Sequence, residues 1–255
     1  RRLGRVGCRR MARPPAGTKR SFDGAAAEEL PVEWYLEPHP ALLVLDLDQT
    51  VWPFDAAHPR YGLPHRPDAA RGGVRCSGAI AQPFAEARAI VQELKRAPFA
   101  PRKAGGAAGG GGNAACRWRI AVASANAQGM VCRSLLRHLG LLQDAPEAAA
   151  RLVGPSGSPP GVAGGGIEEG LLEIHGGSKA VHLQRLAESS GVSFGDMLFF
   201  DDLRHNLRTA DRLGVVGHQV SPLQGLTRKA FAEGLALWRS RRLSRRARRA
   251  IGHTP

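Results

Sequence analysis

The stretch Leu42-Leu43-Val44-Leu45-Asp46-Leu47-Asp48-Gln49-Thr50 constrains the fold more than any other part of the chain. Four consecutive branched apolar residues predict a strand buried on both faces, which belongs in a parallel sheet with helices packed on either side. The run then ends in two acids at i and i+2. That puts Asp46 and Asp48 at the carboxyl end of the strand, where open α/β folds carry out their chemistry. Carboxylates this close repel one another, so something cationic must balance them, most simply a hard divalent ion such as Mg²⁺ with a lysine nearby. Acids, lysine and metal together are the equipment for phosphoryl transfer through an aspartyl-phosphate.

Other segments follow the same logic. Asp196-Met197-Leu198-Phe199-Phe200-Asp201-Asp202 is a second apolar strand that ends in two acids, and Arg119-Ile120-Ala121-Val122-Ala123-Ser124 is one that ends on a hydroxyl. Leu171-Leu172-Glu173-Ile174-His175 and Val215 to Val220 complete the expected strands. Helical spacing of apolar residues predicts helices after Pro83 (Phe84, Ala87, Val91, Leu94), from Met130 to Leu142, after Ser178 as cap (Ala180, Leu183, Ala187), from Arg204 to Leu213 before Gly214, and from Ser221-Pro222 (Leu226, Phe231, Leu235, Trp238). The polar Pro/Gly/His/Arg stretch between Phe54 and Ala81 predicts a loop or hairpin leaning over the first strand end.

Asp46-Leu47-Asp48-Gln49-Thr50 matches the DxDxT signature of haloacid dehalogenase-type phosphatases, and Val51-Trp52-Pro53-Phe54 resembles the narrower magnesium-dependent phosphatase family among them. The resemblance covers roughly residues 40–240 through four motifs in order. It implies a three-layer Rossmann-like parallel sheet, in which the Gly/Pro-rich composition of the two large insertions predicts no large cap domain, and it implies roles. Asp46 is the expected nucleophile, and Asp48 the acid and base, with its backbone carbonyl on the metal. Ser124 is the expected hydroxyl donor to a phosphoryl oxygen, with Leu47, Ala125 and Lys179 as further phosphate-binding positions. Lys179 is also the ammonium that balances the acids. Asp201 and Asp202 complete a Mg²⁺ site with Asp46 and Asp48, Asp202 being the preferred direct ligand. Thr50 is expected to fix the turn through side-chain-to-backbone hydrogen bonds. Arg204 and Asn206 lie near the fourth motif. Related phosphatases follow the serine with Arg, where this chain has Ala125-Asn126, so their extra phosphate contact is not expected here.

The net charge of +14 invites a nucleic-acid reading, but it is unevenly placed. Residues 1–22 hold eight Lys/Arg and residues 238–255 seven Arg, with no acid in either, so the body between is nearly neutral. The expected organisation is a basic extension over 1–37, a phosphatase domain over 38–240 with Gly/Pro-rich insertions near 97–116 and 143–170, and an Arg-rich tail over 241–255. Residues 1–22 fit either an organellar transit peptide or an unstructured extension. The expected location is therefore intracellular, in the cytoplasm or in an organelle. Cys8, Cys76, Cys116 and Cys132 have neither CxxC spacing nor a paired His, which argues against structural zinc and against a disulfide framework. No run approaches the length of a membrane span.

These features predict a Mg²⁺-dependent phosphatase acting on a phosphate monoester, either a phosphosugar or an aryl phosphate of the phosphotyrosine type. Two alternatives stand beside it. One is a phosphoprotein phosphatase of the kind that acts on polymerase tails, and the other is a non-catalytic protein that holds nucleic acid or another anionic surface through its basic tails.

Overall fold

The computed structural model describes residues 38–96, 118–143 and 166–251. The extension expected over 1–37, the insertion near 97–116 and most of that near 143–170 lie outside the described residues.

In chain order the elements are β1 (Leu42–Leu45), β2 (Arg66–Asp68), β3 (Gly73–Arg75), β4 (Ile80–Ala81), α1 (Ala85–Arg96), β5 (Arg119–Ser124), α2 (Gly129–His138), β6 (Gly166–Ile174), α3 (Lys179–Ser190), β7 (Met197–Asp201), α4 (Arg204–Leu213), β8 (Val216–Gln219) and α5 (Arg228–Ile251). Five strands form one sheet in the order β6-β5-β1-β7-β8, and every neighbouring pair in it is parallel. The chain leaves β1 toward β5 and β6, then returns to the other side for β7 and β8. Strand order therefore reverses at β1, and such a reversal opens a crevice above the carboxyl ends.

Strand periodicity explains the layers. Leu43 and Leu45 of β1, with Ile120, Val122, Leu198 and Phe200 of its neighbours, point into a core shared with α1, α2 and α5. Leu42, Val44, Ala121, Ala123, Met197 and Phe199 point the other way, onto Leu183 and Leu186 of α3 and Ala210 of α4. Burial on both faces is what the uninterrupted apolar runs required.

The stretch after Phe54 forms a small antiparallel sheet of order β2-β3-β4. It is tied to the main body where Phe54 stacks on Tyr61 at 4.0 Å and where the His65 ring bonds Ser134 of α2 at 2.8 Å.

Three boundaries differ from the sequence expectation. First, β6 begins at Gly166 rather than Leu171, because Ile167 exchanges backbone hydrogen bonds with the turn after α2, at Leu141 and Gln143. Arg119 of β5 also grips Glu168 at 2.9 and 3.0 Å. Second, Ser221-Pro222 opens a turn instead of the last helix. Gly225 sits there at φ +64 so closely packed that a Cβ would collide with the Phe84 ring and the Thr50 carbonyl. Third, the Arg-rich residues from 241 do not leave as a tail but continue α5 to Ile251. Their side chains find partners on the fold: Arg241 pairs with Asp211, Arg242 with Asp196 at 2.6 Å, and Arg245 donates to the Gly214 carbonyl at 2.7 Å. Arg242 also lies 5.1 Å from the ring centre of buried Trp238.

No helix among the described residues is long and apolar enough to cross a membrane.

Candidate active site

Four elements converge at the carboxyl edge of the sheet. β1 delivers Asp46, which is 8% exposed and whose N–H donates to the Phe200 carbonyl of β7 at 3.0 Å. The chain then folds back sharply. The Leu47 carbonyl accepts from the N–H groups of Thr50, Val51 and Trp52, and Gln49 adopts φ +61, a left-handed conformation that non-glycine residues seldom take outside constrained sites. The turn is closed by these backbone bonds and by a side-chain bond between Trp52 and Asp48. The Thr50 hydroxyl, expected to stabilise it, is buried without a hydrogen-bond partner among the described residues, so that expectation is corrected. Thr50 acts instead through its carbonyl, which accepts from Leu226 at 2.9 Å.

The turn gives Asp48 three donors. Trp52 Nε1 and the Ala56 N–H reach Oδ1 at 2.7 and 3.1 Å, and Asn126 Nδ2 reaches Oδ2 at 2.7 Å. A buried indole N–H needs a partner, and Asp48 supplies it. Asn126 also donates to Asp55 at 3.2 Å and accepts from the Gln128 N–H at 2.8 Å. Sequence reasoning noted Asn126 only as a neighbour of the missing Arg. The signal available was a short amide two residues beyond a strand-terminal serine, where such side chains close turns and reach neighbouring loops.

β5 ends at Ser124, which is buried and accepts from the Asn126 N–H at 3.3 Å, leaving its own hydrogen to donate. Ala125 is exposed and Leu47 fully buried, so neither side chain offers a polar group here and any phosphate contact at these positions falls to the backbone.

Lys179 occupies the first turn of α3, capped by Ser178. Its ammonium opposes the helix dipole, a placement that makes sense only where anions face it. They do. Nζ meets Asp46 Oδ1 at 2.5 Å and Asp201 Oδ2 at 3.3 Å, and donates to the Ala123 carbonyl at 2.5 Å. Behind it, burial and the nearby positive groups push the His182 imidazole down to about 4, so that ring is neutral near pH 7.

Asp201 is fully buried. It accepts from the Leu203 N–H at 2.8 Å and, on both oxygens, from Asn206 at 3.0 Å. Arg204 turns away to Gln219 at 3.0 Å. Asp202 is half-buried, and burial with the neighbouring Asp201 charge raises its carboxyl above the usual range.

The expected Asp46, Asp48, Ser124, Lys179, Asp201 and Asp202 are thus brought together, and Asp46, Asp201 and Asp202 each place a carboxylate oxygen within 4.8 Å of the others. An all-carboxylate set without His or Cys suits a hard divalent ion. The charge balance asks for one as well. Lys179 is a single ammonium among four carboxylates, and burial, reinforced by Asp201 and Asp48, pushes Asp46 up to about 7 against the pull of Lys179.

The model of the Acid Phosphatase family matches residues 38–241, well over half of the chain. The chain belongs to that family. It is also similar to human magnesium-dependent phosphatase 1, at 36% identity over 63 residues, which amount to 25% of this chain and 35% of that protein. The matched region thus spans about a third of the relative's length. The resemblance carried by Asp46–Phe54 holds, and the parallel sheet with helices on both faces is the fold that it implied.

Beneath the site, Cys132 is fully buried, and desolvation with the nearby Asp48, Asp46 and Asp55 charges drives its thiol far up, out of nucleophilic range.

Proposed function

We propose that this protein is a Mg²⁺-dependent phosphatase that hydrolyses a phosphate monoester through a covalent aspartyl-phosphate on Asp46. The observation that carries this reading is the contact between Lys179 and one Asp46 oxygen at 2.5 Å, at a sheet edge where three more acids gather. Oδ1 is held by the ammonium, which leaves Oδ2 to attack phosphorus in line.

As the Asp46–phosphorus bond forms, the bond to the leaving oxygen breaks, and Asp48 gives that oxygen a proton. Water then attacks phosphorus, Asp48 takes its proton, and the Asp46 carboxylate is released with inorganic phosphate. Trp52 and Asn126 hold Asp48 in place for both transfers. The Ser124 hydroxyl, the backbone at Leu47 and Ala125, and the Lys179 ammonium support the phosphoryl oxygens as their charge shifts. Asp46, Asp202, the Asp48 carbonyl and Asp201 would hold Mg²⁺. Asp202 is the direct ligand in this reading, because Asp201 is already engaged by Leu203, Asn206 and Lys179. The ion would supply the positive charge that keeps Asp46 ionised and offsets the phosphoryl charge.

The insertion between β1 and α1 forms only a small three-stranded sheet among the described residues, which supports a substrate that presents an exposed phosphate, on a phosphosugar or aryl group. Turnover of an aryl phosphate by the wild-type protein, with Mg²⁺ and with excess chelator, tests the proposal. Activity should require the metal and vanish in Asp46→Asn. Full turnover in chelator, or by Asp46→Asn, would refute it.

A further inference from the structure

At the opposite edge of the sheet lies a second site of the opposite charge. Asp196 immediately precedes β7 and Asp201 ends it, so the two edges stand about 16 Å apart along that strand. Here Ser193, Gly195 and Asp196 face Arg242, Arg245 and Arg246 of α5 across an open cleft of about 280 Å³.

The cleft carries uncompensated positive charge. Its one acid is already used: Asp196 Oδ2 accepts from the Ser193 hydroxyl at 2.9 Å, and Oδ1 pairs with Arg242 at 2.6 Å. Arg245 donates to a neutral carbonyl, that of Gly214, and Arg246 makes no hydrogen bond or ion pair among the described residues. Two guanidinium charges are left without a carboxylate, and Arg242 Nε is buried without a partner. Gly195 belongs to this arrangement, since a Cβ there would collide with Arg245 Nη1. The turn thus leaves room for the guanidinium beside its backbone.

We propose that this cleft binds the phosphate backbone of a nucleic acid without reading its bases. Guanidinium groups match phosphate oxygens in geometry and charge. No aromatic or apolar side chain lines the cleft, so neither base stacking nor an apolar ligand is served. The sequence also holds more positive charge here than one small anion can use, since Arg248 and Arg249 follow Arg245 and Arg246 with no acid between them. An extended polyanion fits that distribution. A membrane surface fits less well, because Leu243 is the only large apolar residue exposed on this helix among the described residues.

Binding of a labelled single-stranded oligonucleotide to the full chain, followed by fluorescence anisotropy across a salt series, tests the proposal. Arg246→Glu should weaken binding about ten-fold and make the salt slope shallower by about one. Arg246→Lys should keep most of the affinity, and thymine and adenine homopolymers should bind alike. The control is Lys229→Glu, which makes the same change in charge on a residue whose side chain is 86% exposed, about 25 Å away along the helix. It should change binding far less, and aryl phosphate turnover should be unchanged in all three variants. Equal losses in Arg246→Glu and Lys229→Glu would assign the binding to diffuse charge and overturn the proposal. Arg246-dependent binding of tripolyphosphate or of anionic vesicles, with no such dependence for the oligonucleotide, would overturn it as well.

Discussion

Two strand ends, β1 and β7, finish in a pair of acids, and the fold treats the two pairs differently. At β1 the inner acid, Asp46, keeps one oxygen uncommitted, and the outer acid, Asp48, is held by Trp52, Ala56 and Asn126. At β7 the pattern inverts: inner Asp201 is fixed by Leu203, Asn206 and Lys179, while outer Asp202 is the less buried and less bonded of the two. A restrained carboxylate can position its neighbours or hold a fixed orientation, whereas an uncommitted one can attack or take up a ligand. On the proposed mechanism, the same apolar-acid phrase in sequence would encode an attacking group beside an aimed acid at one strand and a scaffold beside a metal ligand at the other.

The sharpest way to break this contrast is to neutralise the inner acid of each pair. Asp46→Asn should lower turnover by about 10⁴-fold or more. At pH 8 without metal it should raise the melting temperature, because it removes a carboxylate that is costly to ionise where it is buried. Asp201→Asn should instead lower the melting temperature, by about 2 kcal/mol of stability, since an amide cannot accept every hydrogen bond that Asp201 now accepts. Thermal scans of the two variants side by side decide it, and a stabilised Asp201→Asn would show that the β7 pair is not a scaffold.

A smaller effect is expected at Asn126. Removing its amide in Asn126→Ala frees one Asp48 oxygen and should lower kcat about ten- to a hundred-fold with little change in KM, as loss of a supporting hydrogen bond does at other sites. Steady-state kinetics on an aryl phosphate would show it, and a change confined to KM would mean that Asn126 contacts substrate instead.

A further effect is thermodynamic. The folded-state pKa of Asp46, near 7, lies above its unfolded value near 3.8. Between those values the folded protein holds a proton that the unfolded chain has lost, so this group makes the metal-free protein less stable as pH rises from about 4 to 7. A bound divalent ion removes that penalty. The gain in melting temperature on adding Mg²⁺ should therefore be larger at pH 8 than at pH 5, and an equal gain at both would separate the metal from Asp46.

The sheet, its parallel sense and the acids Asp46, Asp48, Asp201 and Asp202 were legible because short-range patterns carry them, as apolar runs that end in acid, whereas Ser124 and Lys179 were legible through the resemblance to the family's ordered motifs. Lys179 was legible for a further reason, since a cation at a helix start needs anions opposite. The parts that were not legible depend on contacts distant in sequence. The Asn126–Asp48 bond joins residues 78 apart. The helical Arg-rich end of α5 depends on Asp196, Asp211 and Gly214, whose partners on the helix no local pattern announces. Thr50 misled because turn chemistry suggested a side-chain bond where the Leu47 carbonyl had already closed the turn.

The central claim, that Asp46 carries the phosphoryl group, is tested most directly by trapping it. In Asp48→Asn the base for the second step is missing, so a radiolabelled phosphate ester with a good leaving group should phosphorylate the protein faster than water releases the product. Rapid acid quenching followed by hydroxylamine cleavage and peptide mapping should then find the label on Asp46. Label on a serine or histidine, or inversion at a chiral phosphorus from direct attack by water, would contradict the account.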